Sequence, residues 1–222
     1  MILSYSKSTI LIFVLLSTGI YAQVADQILV EPGMNLAWPS KGRWSFNTAI
    51  ENRTEVEENK EALHVQLAHF TSYEVGFYGK VALGIMYREL FDKDRPEELR
   101  ITEQYSYGKR YNQLRLVHRA RVEQRIREND ITHRLRYQFS ADLPLEGLEL
   151  DAREFYIAGS LESLLSLNRS NSPEIDQRFS VTLGNRILSN LKVQLTTQYR
   201  FENYAQETFT RLFFSLGTFY KL

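Results

Sequence analysis

Apolar and polar residues alternate one for one along most of this chain, and that period of two restricts it to β-strands. Leu191, Val193, Leu195, Thr197, Tyr199 and Phe201 alternate with Lys192, Gln194, Thr196, Gln198 and Arg200. Ile131, His133, Leu135, Tyr137, Phe139 and Ala141 alternate with Thr132, Arg134, Arg136, Gln138 and Ser140. A helix would spread these charges around its circumference, whereas a strand sends them to one face. The last twelve residues follow the same rule, with Leu212, Phe214, Leu216, Thr218, Tyr220 and Leu222 on one side. Soluble domains usually let their termini fray, so a strand running to the terminal residue is expected to pair and close a sheet.

Marking strands this way predicts an all-β, antiparallel up-and-down barrel of about ten strands, each long enough to cross a bilayer at a tilt. The expected spans are Trp44–Arg53, Ala62–Tyr73, Phe77–Arg88, Glu98–Gly108, Asn112–Arg125, Ile131–Leu143, Gly147–Ile157, Ile175–Ile187, Asn190–Phe201 and Thr208–Leu222. Long connections (Thr54–Glu61, Glu89–Glu97, Ile126–Asp130, Ala158–Glu174, Glu202–Glu207) alternate with short ones (Glu74–Gly76, Lys109–Tyr111, Pro144–Glu146, Leu188–Ser189). Outer-membrane barrels show this pattern, with short turns in the periplasm and longer loops outside. An even strand number puts both termini in the periplasm, and the closing strand is expected to pair with Trp44–Arg53.

A soluble barrel or sandwich alternates too, but with its apolar face inward. The polar faces here favour lipid outside, because they carry arginine with glutamine and threonine rather than the Lys/Glu mixture of a soluble β surface. Thirteen Tyr and thirteen Phe in a mostly polar chain fit interfacial aromatic girdles. Residues 1–22 hold one cation, Lys7, an apolar run Ile10–Leu16 and a small-residue cleavage point after Ala22, the pattern of a secretory signal peptide. Residues 23–43, with Pro32-Gly33 and Pro39, read as a periplasmic arm or partial plug, and residues 44–222 as the barrel domain. Twenty-seven Lys and Arg balance twenty-seven Asp and Glu, so no net field recruits nucleic acid. The absence of cysteine excludes disulfides and thiolate metal sites.

Four segments come in a telling order: RARVEQR (Arg119–Arg125), THRLRYQF (Thr132–Phe139), QRFSVTLG (Gln177–Gly184) and QLTTQYRF (Gln194–Phe201). The chain resembles an uncharacterised family of outer-membrane β-barrel proteins of Bacteroidota type, catalogued as a domain of unknown function. The resemblance covers about Trp44 to Leu222. It implies a barrel and an outer-membrane address in a Gram-negative bacterium, and it carries no catalytic residues over. Such barrels commonly finish in Phe; this chain finishes in Leu222, with Tyr220 holding the aromatic slot just before it.

With the apolar face outside, Arg115, Arg119, Arg121, Arg125, Arg134, Arg136, Arg153, Arg178 and Arg200 point into the lumen. Glu51, Glu123, Asp142, Glu149 and Asp151 are positioned to face them. A barrel of about ten strands is narrow enough for its own side chains to fill much of it. The expectation is therefore a buried ion-pair network in a mostly filled lumen, narrowed further by inward Phe213 and Phe219. The alternative is a narrow anion-preferring channel whose basic strip is Arg119, Arg121, Arg134 and Arg136.

An enzyme acting on envelope lipid needs a nucleophile and a base within reach. The only enzyme-like pairing is His118 with His133, on neighbouring predicted strands, with no serine at catalytic spacing. No cofactor or metal is expected, the charged run Asp92–Glu98 reads as a solvated loop, and Asn168-Arg169-Ser170 as a chance sequon. The expected partners are outer-membrane lipid and the barrel assembly machinery, and the residues leave any small-molecule ligand unspecified.

Overall fold

The computed structural model describes residues 25–39, 42–56, 62–91, 96–128, 130–169 and 172–222. The predicted signal peptide lies outside them, as do residues 92–95 of the charged loop. Every described element is a strand, and the eleven strands close into one barrel. They are β1 (Gln27–Pro39), β2 (Trp44–Glu55), β3 (Ala62–Val75), β4 (Gly79–Leu90), β5 (Glu98–Tyr111) and β6 (Leu114–Arg127), followed by β7 (Asp130–Pro144), β8 (Phe155–Leu167), β9 (Glu174–Leu188), β10 (Leu191–Glu202) and β11 (Phe209–Lys221). Consecutive strands pair antiparallel, and β1 closes on β11 in parallel, Gln27 facing Arg211 and Ala37 facing Lys221.

Nine of the ten expected spans match observed strands to within three residues at each end. The strand count is eleven rather than ten, because residues 27–39 of the supposed arm form β1. Pro32 disguises it, since proline donates no ladder hydrogen bond. In the β1–β2 ladder the pairing accordingly passes from Val30–Thr54 to Gly33–Glu51. The closing strand therefore pairs with β1, not with Trp44–Arg53, and the two ends of the barrel lie at opposite rims. The expectation that both termini share one side rested on an even count and does not carry over.

β8 also departs from its expected span. Residues 145–154 form a connection, and the strand runs through Phe155–Leu167, most of which was expected to be a long loop. Glycine and three serines in AGSLESLLS imitate turn chemistry, and adjacent Leu164 and Leu165 break the alternation because Leu164 points inward, almost fully buried. Residues 56–61, 91–97, 168–173 and 203–208 remain the longer connections at the rim where β1 begins, and the short link from β6 to β7 lies at the same rim. The opposite rim carries the connections 40–43, 76–78, 112–113 and 189–190, together with the ten-residue exception 145–154. Asn112 adopts a positive φ of 51° in its two-residue turn, as a tight hairpin requires.

The barrel is polar within and apolar without. Glu98 and Glu123 are among its largest fully buried side chains, while Leu83 and Val181 on the outer face are each 59% exposed. Two inner aromatic rings lie on glycines of the neighbouring strand, Phe70 on Gly84 and Tyr156 on Gly184. A Cβ at residue 184 would come within 2.3 Å of the Tyr156 ring, so Gly184→Ala is expected to destabilise the barrel by about 1–3 kcal/mol through overpacking. Urea midpoints for refolding into vesicles test this, and adding Tyr156→Ala to Gly184→Ala should recover part of the loss. An unchanged midpoint for the single variant would show that the ring packs elsewhere.

At the rim where β1 begins, Asp26 latches it to β11. The Thr210 backbone N–H and hydroxyl donate to Asp26 Oδ2 at 2.7 and 2.8 Å, and the Asp26 N–H donates to Thr210 Oγ1 at 3.1 Å. These hydrogen bonds, the Thr210 backbone N–H foremost, hold the Asp26 carboxyl below its ordinary range. Because the folded-state pKa is depressed, the latch is complete above the ordinary carboxylate pKa and is lost as pH falls through the lowered one. Hydrogen exchange at the Thr210 amide should accelerate over that acidic window, and Asp26→Ala should make it fast at neutral pH. Exchange that ignores both changes would mean the seam is held without Asp26.

Candidate functional site in the barrel lumen

Inward residues of all strands but β7's far half and β8 enclose a cavity of 1360 Å³. Its lining includes Glu207, Thr208 and Phe209 at the rim of the longer connections and, toward the opposite rim, Asn35, Ser72, Lys80 and Phe219. On the β7–β10 side, below this cavity, inward polar side chains bond one another along the wall. There the Gln138 amide donates to Ser160 at 3.3 Å, Thr182 and Thr196 hydroxyls meet at 2.8 Å, and the Gln194 amide donates to the Tyr156 hydroxyl.

Three carboxylates organise the arginines in the wall. Glu98 is fully enclosed and accepts from Arg100 Nη2 at 2.5 Å, Arg125 Nη2 at 2.6 Å and Arg127 Nη2 at 2.5 Å, with Arg88 at 3.7 Å. Glu123 accepts from Arg136 Nη1 at 2.7 Å and faces Arg100 at 3.7 Å. Glu162 takes the other side of Arg136, both oxygens lying 2.9 Å from Nη2, with Arg178 at 3.5 Å and Arg119 at 3.7 Å. Arg136 thus bridges two carboxylates, the bidentate geometry a planar guanidinium suits. Around the wall Arg53 pairs with Glu31 at 2.5 Å, and Arg200 lies 3.7 Å from Glu31. Both guanidinium groups sit over the buried Phe213 ring, at 5.0 and 3.5 Å from its centroid.

Two cavity-lining arginines have no carboxylate within ion-pair distance among the described residues. Arg121 donates from Nε to Gln104 Oε1 at 2.6 Å and lies 5.6 Å above the Phe70 ring. Arg134 donates from Nε to the Ser166 hydroxyl at 3.0 Å. The Nε atoms of Arg100, Arg119, Arg136 and Arg178 are buried without a hydrogen-bond partner among the described residues.

Of the residues predicted to line the lumen, Arg119, Arg121, Glu123, Arg125, Arg134, Arg136, Arg178 and Arg200 surround the cavity. Asp142 binds Arg115 at 2.8 Å, toward the opposite rim and away from it. Arg153 is not in the lumen: it belongs to the exposed connection 145–154, where its N–H donates to the Arg186 carbonyl at 2.5 Å. Glu149 and Asp151 lie in the same connection. Sequence reasoning missed Glu98, Glu162 and Glu31, which sat at a strand's first residue, in a supposed loop and in a supposed arm. Arg100 was within reach of strand parity, since Glu98, Arg100, Thr102 and Gln104 share one face of β5.

The histidines do not form a pair. His118 faces Phe139 and His133 faces Gln124, six positions apart on β7, roughly 20 Å along a strand. Both point outward, and His118 Nδ1 lies 2.7 Å from the Tyr137 hydroxyl. Among the described residues no three His, Asp or Glu side chains gather as metal ligands. No helix of the described residues is long and apolar enough to cross a membrane, which says nothing of strands.

No curated protein and no solved structure matches the chain. One family model does match, over residues 33–211, from within β1 to the start of β11. The chain belongs to that family, described as "Protein of unknown function (DUF2490)".

Proposed function

We propose that this chain is an outer-membrane β-barrel of a Gram-negative bacterium that binds an anionic solute in its lumen, entered from the rim of the longer connections. The observation that carries the reading is the cavity of 1360 Å³ whose wall holds more arginines than carboxylates, two of them with no carboxylate within ion-pair distance among the described residues. A barrel that needed charges only for its own cohesion gains nothing from half-buried guanidinium groups that no carboxylate answers. The membrane address is supported by an outer face of Leu, Val, Ile and aromatic side chains around a charged interior, the reverse of a soluble barrel. On this reading the short turns and Leu222 face the periplasm, and β1 begins at the outer rim.

Binding is favoured over conduction because hydrogen-bonded side chains line the β7–β10 side beyond the cavity, and Phe219 stands in its wall near the far rim. Titration calorimetry of the refolded barrel with orthophosphate, pyrophosphate, tripolyphosphate and citrate should give binding that weakens with salt. No heat from any of these anions would overturn the reading. Planar-bilayer recordings should show no steady conductance; a steady anion-preferring conductance would favour the narrow channel instead. Unboiled and boiled electrophoresis of the outer-membrane fraction tests the address, with a heat-dependent mobility shift expected.

A further inference from the structure

We infer that the lumen site is built for an elongated solute carrying at least two anionic groups, phosphate or carboxylate, held at one end by Arg121 and at the other by Arg134. The inference rests on the anion-binding reading above and specifies the ligand for it. Arg121 and Arg134 occupy neighbouring strands, near each other in register, Arg121 facing Arg136 and Glu123 facing Arg134. Their side chains reach in opposite directions around the barrel. Arg121 extends toward β5 and β3, where Gln104 fixes its Nε and Phe70 lies beneath its guanidinium. Arg134 extends toward β8, where Ser166 fixes its Nε.

In both cases the Nε contact orients the fork and leaves the terminal nitrogens for a ligand, and neither has a carboxylate to answer it among the described residues. Between them Arg136 is already engaged by Glu123 and Glu162, so the middle of the site offers little further charge. One compact oxyanion therefore meets one arginine or the other. Two separated anionic groups on one solute meet both, and the second contact forms at high effective concentration. The cavity volume of 1360 Å³ accommodates a molecule far larger than a single ion.

The test uses the full barrel refolded in detergent, with orthophosphate and tripolyphosphate as probes and citrate as the carboxylate arm. Tripolyphosphate should bind at least roughly tenfold more tightly than orthophosphate, as a second charge-assisted contact implies. Arg121→Gln and Arg134→Gln should each remove most of that advantage while changing orthophosphate affinity by less than about threefold. Citrate binding as tightly as tripolyphosphate would identify the solute as a polycarboxylate; much weaker citrate binding would identify it as a phosphate ester or polyphosphate. If a glutamine variant loses its heat-shifted mobility, Arg121→Lys or Arg134→Lys replaces it. These keep the charge but lose the fork, so the advantage should still fall. Tripolyphosphate binding no tighter than orthophosphate, or binding indifferent to both substitutions, overturns the two-ended site while leaving an anion pocket. Failure of every anion to bind overturns the reading beneath it.

Discussion

Glu98→Gln is expected to abolish barrel assembly or to lower its stability by about 3–5 kcal/mol, the usual cost of removing one partner from a buried ion pair. The carboxylate is 0% exposed and sits against Arg100, Arg125 and Arg127 at 2.5–2.6 Å, with Arg88 at 3.7 Å. A glutamine of the same shape supplies an oxygen but no charge, leaving four guanidinium groups facing one another across a poorly solvated wall. The penalty comes from that uncompensated charge more than from the lost hydrogen bonds, so a second neutralisation should relieve it. Glu98→Gln with Arg100→Gln is expected to be more stable than Glu98→Gln alone. Glu89→Gln, on the exposed outer end of β4, serves as the control and should be near neutral. Urea-dependent refolding into vesicles and heat-shifted mobility read all of these. Wild-type stability in Glu98→Gln would mean that water reaches and screens the cluster.

The way Glu98 escaped the sequence reading shows what alternation can and cannot convey. Parity assigns each residue to a face, and it did so correctly for Arg119 through Arg136 because β6 and β7 alternate without interruption. It assigns nothing at strand ends, where Glu98 stands beside a charged connection. It also fails when residue chemistry imitates a turn. Pro32-Gly33 hid β1, although a proline is tolerated where the β1–β2 ladder skips and Gly33 sits so close to Glu51 that a Cβ there would lie 2.9 Å from its Cγ. The serines and glycine of β8 hid Glu162, the carboxylate that Arg136 shares with Glu123. Both omissions removed acids from the inferred lumen, so the sequence made the interior look more basic and less organised than it is.

Which arginines are paired is a three-dimensional matter. Arg119, Arg121, Arg134 and Arg136 form one basic strip in the sequence, yet the fold separates them into two kinds. Arg136 and Arg119 face Glu162, brought from β8, whereas Arg121 and Arg134 meet neutral Gln104 and Ser166 and, among the described residues, no carboxylate at ion-pair distance. The strip was visible; the division within it depended on a strand that the sequence concealed.

The outer face offers the most decisive measurement of where this barrel resides. Val181 lies at the middle of β9, 59% exposed, flanked across the ladder by Gly159 and Thr197. If lipid covers it, Val181→Arg should destabilise the vesicle-inserted barrel by about 2–4 kcal/mol, the cost of arginine near the bilayer midplane. The same substitution on a water-covered strand face lies within about 0.5 kcal/mol of neutral. Gln177→Arg, also outward but near the rim, should cost only about 0–1 kcal/mol. The depth dependence matters because a merely steric defect has no reason to follow distance from the rim. Urea-dependent refolding followed through Trp38 and Trp44 gives both values. Equal effects at residues 177 and 181, or none at 181, would remove the lipid-facing assignment. A steep difference would fix the bilayer centre on the ring of Val181, and with it the depth at which Arg121 and Arg134 lie in the membrane.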